Sequence, residues 1–454
     1  MEAVFTRDLH AAYPVIVRGE GVYLHDREGR RYLDGCAGAL VANIGHGVAE
    51  VVDAFAGQAR RVAFAHASTF MSEPALRLAD LLVRRAPEPG GAVYYASGGS
   101  EAVETALKLA RAYFVVREGA STAKHSVVAR WNSYHGNTLG ALSASGHVGR
   151  RARYAPMLLP FPHVDPCNAY RPADGRGGVP WDVYAARQLE AAIVREGPER
   201  VAAFIAEPIV GAAAGAVPGT RAYFETVREI CDRHDVLLIA DEVMTGFGRA
   251  GAQFAIAHFG VVPDLLVMGK GMAAGYAPLA GVLVGRRIVG AFRRGEGQFV
   301  HGHTYSAHPA SCAAGLAVQD FMDRHGLVER AAGVGAALGR RLQTLRAHPI
   351  VGDVRGLGMM WGIEFVRDRT TREPFPPATR IAARITAEAR RRGLLIYPGT
   401  GSTDGVRGDH ALVAPPFTIS DVEVEELVGR LDEAVGAVAR EAAVREQVAS
   451  HNCP

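Results

Sequence analysis

Asp264-Leu-Leu-Val-Met-Gly-Lys-Gly-Met-Ala-Ala-Gly-Tyr-Ala-Pro-Leu279 is the stretch on which the reading of this chain turns. Leu265 to Met268 is a short apolar run and reads as a buried strand. The strand delivers Lys270, held between Gly269 and Gly271. The chain has only two other lysines. Lys108 falls on a charged helix and Lys124 in a polar turn, so Lys270 alone has apolar sequence on both sides. Burial there disfavours the ammonium, lowers its pKa from about 10.4 and yields a nucleophilic amine. The flanking glycines let a bulky group approach the backbone. Two readings stand at this point: a Schiff-base lysine, and a lysine that snorkels from a strand end.

Outward from that strand, the pattern alternates. Apolar strands are expected at 92–95, 126–130, 201–206, 236–240, 265–268 and 280–284, with helices that include 73–85, 183–196 and 219–234. Such alternation argues for a parallel sheet covered by helices. Ahead of it, residues 15–34 read as a β-hairpin region whose turn residues are Asp26 to Gly29. A glycine-rich loop from Gly35 to Gly47 follows and contains Cys36, Leu40 and Asn43. Past residue 325 the texture becomes α+β. Helices are expected at 326–347 and 378–392 and from Ser420, with strands near 351–355, 359–365, 394–397 and 411–414. The expected division is a large α/β domain over 51–325 and a small α+β domain over 326–454, joined by the N-terminal segment 1–50.

A chain of 454 residues is too long for one simple core. With 48% apolar and 21% charged residues it has the composition of a soluble globular protein. All but three of its 50 basic residues are arginine, spread along the chain, and the net charge is only +3. Nothing in that distribution points to nucleic acid. Cys36, Cys167, Cys231, Cys312 and Cys453 are isolated, which fits a reducing, cytoplasmic compartment. The N-terminus has no signal-peptide core, and the charge-poor stretch 201–218 is broken by Glu207-Pro208, so no membrane span is expected.

Four further stretches carry chemistry. In Tyr95-Ala-Ser-Gly-Gly-Ser-Glu-Ala-Val-Glu-Thr-Ala-Leu-Lys-Leu-Ala-Arg111 a strand gives way to a tight turn and then a helix. Val103, Ala106, Leu107, Ala110 and Phe114 share one face, and Glu104 and Lys108 are spaced to pair on another. The helix start is either a phosphate site or an ordinary terminus capped by Ser100. In Ser133-Tyr-His-Gly136 an aromatic at a strand exit suits stacking on a flat heterocycle, though exposed loop tyrosines are common. In Leu237-Leu-Ile-Ala-Asp-Glu-Val-Met-Thr-Gly-Phe-Gly-Arg249 a buried strand delivers Asp241 at its C-terminal end, with Val243 on the same face. Asp241 there suits an ion pair with a ring nitrogen, a metal shared with Glu242, or a structural cap. Glu207 leaves an earlier strand in the same way. In His301-Gly-His303-Thr-Tyr-Ser-Ala-His-Pro309 the histidines lack an accompanying carboxylate, so no metal is expected, and Thr304 is a possible second phosphate donor.

A phosphate cup, an aromatic, an acid for a ring nitrogen and a lone lysine are together what pyridoxal phosphate needs. The order and spacing of Ser97-Gly-Gly-Ser-Glu-Ala, Tyr134-His-Gly, Glu207-Pro, Asp241-Glu-Val-Met-Thr-Gly-Phe-Gly-Arg, Gly269-Lys-Gly and His303-Thr-Tyr-Ser-Ala-His-Pro resemble the class III aminotransferases. That is the ornithine, 4-aminobutyrate and β-alanine:pyruvate group. The resemblance extends over roughly residues 13–435. It implies a fold-type I pyridoxal-phosphate transferase, with a large, mainly parallel α/β domain and a small domain built from both termini. It implies a homodimer with shared active sites.

By the same resemblance Lys270 binds the cofactor covalently, Asp241 keeps its ring nitrogen protonated, and Val243 and Tyr134 sandwich the ring. Gly99 and Ser100 hold the phosphate, with Thr304 from the neighbouring subunit, and His135 and Glu207 complete the cofactor set. The reaction implied moves an amino group from an ω-amino acid or primary amine to pyruvate or another 2-oxo acid. An aminomutase, a decarboxylating transaminase or a non-catalytic pyridoxal-phosphate module are the alternatives. For the substrate, Leu40 stands where the family often has tryptophan, and Arg407, shortly before Ala414-Pro-Pro-Phe, is the nearest candidate for the mobile arginine with which such members grip a carboxylate, the alternative being a surface loop arginine.

Overall fold

The large sheet has seven strands. Their order is Ala92–Ala96, Ala280–Val284, Leu265–Met268, Leu237–Asp241, Val201–Ala206, Ser126–Arg130 and His163–Val164. They are seen in a computed structural model that describes residues 3–451, with side chains described through 444. Only Ala280–Val284 runs antiparallel to its neighbours. It follows Leu265–Met268 through residues 269–279, a link shorter than the dozen or so residues a parallel crossover needs. The sheet is therefore mainly parallel, with this one exception to the alternation.

Successive residues of the central strands serve opposite faces. Leu237, Ile239, Leu265 and Val267 join one apolar cluster, with Val103, Ala106, Ala110 and Phe114 of helix Gly99–Glu118. Leu238, Ala240, Leu266 and Met268 join the other, with Leu189 and Ile193 of Trp181–Glu196 and Val227 and Ile230 of Arg221–Arg233. Burial on both faces explains why these strands read as unbroken apolar runs. Two helices not singled out above, Ala49–Arg61 and Pro309–Arg324, pack against each other.

Two four-stranded sheets accompany the large one. The hairpin strands Ile16–Glu20, Tyr23–Asp26 and Arg31–Asp34 are joined by Leu394–Leu395, parallel to the third strand. Val351–Leu357, Met360–Phe365, Asp409–Val413 and Tyr397–Thr400 form an antiparallel sheet in that order. Arg249, fully buried, ties distant segments together. It donates to the Met359 and Pro415 carbonyls and to Asn43 Oδ1, and its guanidinium lies over the Phe417 ring.

Local expectations fail in two places. Glu104 and Lys108 do not pair. Glu104 Oε1 accepts the Ala141 N–H at 3.1 Å, and Lys108 Nζ meets His301 Nδ1 at 3.0 Å. Ser100 is not the N-cap either: the helix begins at Gly99, two residues earlier than that cap would place it, and Gly98 holds the cap position. Cys36, Cys167, Cys231 and Cys312 are buried free thiols, and Cys453 lies outside the described residues. Among the described residues no helix is long and apolar enough to cross a membrane.

Candidate active site

The chemistry-bearing residues collect past the C-terminal ends of the parallel strands, where open α/β sheets bind ligands. They enclose a pocket of about 200 Å³. Lys270, two residues past its strand, reaches this pocket from a backbone with φ of 41°. That left-handed conformation is strained for a side-chain-bearing residue and is held by its surroundings. A Cβ on Gly271 would lie 2.3 Å from Asn43 Nδ2, and one on Gly269 would lie 3.3 Å from Val243 Cγ1. The glycines thus let protein close around Lys270.

Lys270 is only partly accessible, through the pocket, and burial brings its pKa down to about 8. Asp241 and Glu207 oppose the shift, and Arg150 and Arg249 add to it. Its amine makes no hydrogen bond or ion pair among the described residues. Lys124 is the contrast. It too is buried, against expectation, but its ammonium donates to the carbonyls of Val201, His234 and Asp235. A threefold carbonyl cage makes a structural lysine; an unpartnered amine facing a pocket makes a reactive one.

Asp241 closes its strand with both oxygens engaged. The Val243 N–H donates to Oδ1 at 3.1 Å, and His135 Nδ1 stands 2.7 Å from Oδ2. An ionised carboxylate only accepts, so the imidazole hydrogen sits on Nδ1. His135 Nε2 is then buried without a partner. Glu207 works on the neighbouring loop. Its oxygens accept the N–H groups of Tyr134 at 2.9 Å and Gly211 at 3.0 Å, while desolvation raises its pKa. Tyr134 is held by that bond and lines the pocket with Val243 and Met244.

A helix start also forms part of the pocket wall and could take an anion. Helix Gly99–Glu118 starts there with no side-chain cap, leaving first-turn amides free. Ser100 Oγ accepts the Asn137 N–H at 2.9 Å. Gly136 passes so close that a Cβ there would lie 2.6 Å from Ser100 Oγ, and its φ of 142° also favours glycine.

Three expected residues are not brought to the pocket wall. Thr304 is exposed on the described chain. Leu40 is 1% exposed and packs in a separate apolar cluster with Met360 and Leu412, against Met244, so it stands behind the wall. Arg407 points elsewhere: its Nε donates to Asp404 at 2.7 Å, and Nη1 lies 3.6 Å from Glu373. Four residues of the structure had no role assigned from the sequence: Gly136, Met244, Arg249 and Arg150, whose guanidinium lies 4.2 Å from the Tyr134 ring centre. The tightness at Gly136 was hinted at only by its place after Tyr-His. Arg150 carried no signal among so many arginines.

An amine poised near neutrality, an oriented acid across from it and free helix amides beyond match the carbonyl, ring nitrogen and phosphate of one cofactor. The site and sheet therefore define a pyridoxal 5′-phosphate enzyme of fold type I. The family model described as aminotransferase class-III matches residues 4–435. An uncharacterized aminotransferase of Bacillus subtilis is 43% identical over 432 residues, which is 95% of this chain and 97% of that protein. The diaminobutyrate–2-oxoglutarate transaminase of Halomonas elongata is 37% identical, over 95% of this chain and 92% of that one. The crystal structure of a thermostable (S)-enantioselective omega-transaminase from Thermomicrobium roseum superposes with a TM-score of 0.86 at 37% identity, covering 94% of this chain and 93% of that one. The chain belongs to the class III aminotransferase family. Its reaction is pyridoxal-phosphate-dependent transfer of an amino group from a small amine donor to a keto acid acceptor.

Proposed function

We propose that the protein moves an amino group from an ω-amino acid or primary amine to pyruvate or another 2-oxo acid, in two half-reactions at the Lys270 pocket. The observation that carries this is the unpartnered Lys270 amine, near neutral pKa, in one pocket with Asp241. Support for the donor class comes from the relatives: one is named for diaminobutyrate and a structural neighbour is an omega-transaminase.

Bound pyridoxal 5′-phosphate supplies the carbon that carries the amino group and a ring that accepts electrons from the substrate carbon. Lys270 Nζ would take the proton from the amine-bearing carbon as general base and deliver it as general acid. A pKa near working pH suits both directions. Asp241, oriented by His135 and the Val243 amide, holds a proton on the ring nitrogen through its negative charge. Val243 and Tyr134 would bracket the ring, and Gly99, Ser100 and the free amides would hold the phosphate, since all of them line one pocket. Glu207 fixes Tyr134 through its backbone. Thr304, exposed on one chain, is assigned to the partner's phosphate site in a homodimer.

The test is a half-reaction screen of the holoenzyme, read by cofactor absorbance. ω-Amino acids and primary amines should convert the cofactor to its amine form, and pyruvate or another 2-oxo acid should restore it. Conversion by 2-amino acids alone, or release of carbon dioxide in step with turnover, would reject the assignment. Sedimentation should give twice the chain mass.

A further inference from the structure

Beyond the cofactor pocket lies a larger cavity of about 600 Å³. His147, Arg150, Ala212, Gly399, Thr400 and Asp409 contribute to its wall. Arg150 joins the two spaces, since it lines the larger cavity and stacks on Tyr134, which lines the smaller. A cation–π contact with a ring uses none of the guanidinium's five donors. No hydrogen bond or ion pair reaches the Arg150 side chain among the described residues.

Its neighbours are committed. Arg151 donates to the carbonyls of Leu142, Ser143 and Ser145. Arg407 is spent on Asp404 and Glu373 at the surface. Within the cavity wall, Asp409 accepts the Ala382 N–H at 2.9 Å, and desolvation raises its pKa. His147 is kept neutral by burial and by Arg150, with a pKa of about 4. Arg380 is the other cation of this wall and is exposed. An unpaired cation stands between the two spaces, close enough for Lys270 to feel its charge.

We propose that Arg150, and not Arg407, grips the carboxylate of acid substrates, and that the cavity it lines receives the body of a carboxylate-bearing donor or acceptor. A guanidinium fork binds a carboxylate through two parallel hydrogen bonds, and contact with the Tyr134 ring holds it beside the cofactor pocket. The proposal rests on the reading that 2-oxo acids are substrates of the Lys270 pocket. It adds which residue selects them.

The experiment compares wild-type holoenzyme with Arg150→Met, Arg150→Lys and Arg407→Ala in single-turnover half-reactions. The probes are pyruvate, an ω-amino acid and uncharged 1-phenylethylamine. Arg150→Met should lower kcat/KM for both acids by about tenfold or more, chiefly through KM. The same variant should cost the uncharged amine far less than it costs the acids, since only the acids lose a carboxylate partner. Arg150→Lys should recover part of the loss, and Arg407→Ala should change neither class. Propionate should inhibit the wild type competitively and Arg150→Met much less. Equal losses for acids and amine, or no loss for the acids, would overturn the proposal. A wild type that takes the amine but no acid would overturn the substrate reading as well.

Discussion

His135 Nδ1 lies 2.7 Å from Asp241 Oδ2, so the acid at the end of strand Leu237–Asp241 is held by an imidazole delivered from the loop after Ser126–Arg130. With the Val243 amide on the other oxygen, the carboxylate has little freedom to turn. In Asp241→Asn the amide oxygen can still accept the Val243 N–H, and the amide nitrogen can donate to His135 Nδ1 once the imidazole hydrogen moves to Nε2, so the fold should persist. The neutral amide cannot hold a charged ring nitrogen. Proton removal from substrate should slow by about 100-fold or more, as expected when an electrostatic partner of the transition state is lost. An unchanged single-turnover rate would reject the role.

Lys270→Ala should abolish the borohydride-trappable link to cofactor and nearly all transamination. The three lysines make the assignment clean by peptide mapping. Lys124 is an internal control, since its ammonium is held by three carbonyls away from the pocket. A cofactor adduct on Lys124 or Lys108 would sink the assignment.

How far the sequence led can be judged from those lysines. The strand before Lys270 and the acid at Asp241 were legible because buried parallel strands are apolar throughout and deliver their functional residues at one end. Lys124 was misjudged because its neighbours in sequence are polar, while its cage comes from residues 201, 234 and 235. The antiparallel course of Ala280–Val284 left no mark, since both faces are buried either way. Arg407 was favoured by its place before the Pro-Pro pair, but three-residue spacing to Asp404 draws it into a local ion pair. Arg150 becomes visible only when folding sets it against Tyr134.

Arg249 offers a test of stability. Its guanidinium serves three acceptors from separate parts of the chain: Met359 O, Pro415 O and Asn43 Oδ1. Arg249→Met preserves much of the packing over Phe417 but leaves those acceptors without a donor. Each unsatisfied buried group costs about 1–3 kcal/mol, so a loss of about 3–5 kcal/mol is expected. Denaturant unfolding of the cofactor-free protein measures it. Asn43 also packs against Gly271, so cofactor affinity should fall with stability. A loss under about 1 kcal/mol would show that the three contacts are dispensable.

The last prediction concerns pH and the charge on Lys270. Its folded pKa is about 8, below the free-lysine value of about 10.4. Between those values the unfolded chain binds more protons than the native one, so this lysine makes stability of the cofactor-free protein rise with pH across that window. Below about pH 8 the native pocket holds an ammonium it disfavours, and Lys270→Met should then be the more stable protein. Reactivity gives the sharper measurement. Labelling of Lys270 in the cofactor-free enzyme by an amine-directed reagent should follow the neutral fraction, with a midpoint near pH 8. Asp241 is the largest influence raising that pKa, so Asp241→Asn should move the midpoint down. Arg150 acts in the opposite sense, so Arg150→Met should move it up. Opposite displacements in the two variants are the signature of one electrostatic pocket shared by all three residues. A midpoint near that of a free lysine, or one indifferent to both substitutions, would mean that burial does not tune the amine and that its reactivity has another source.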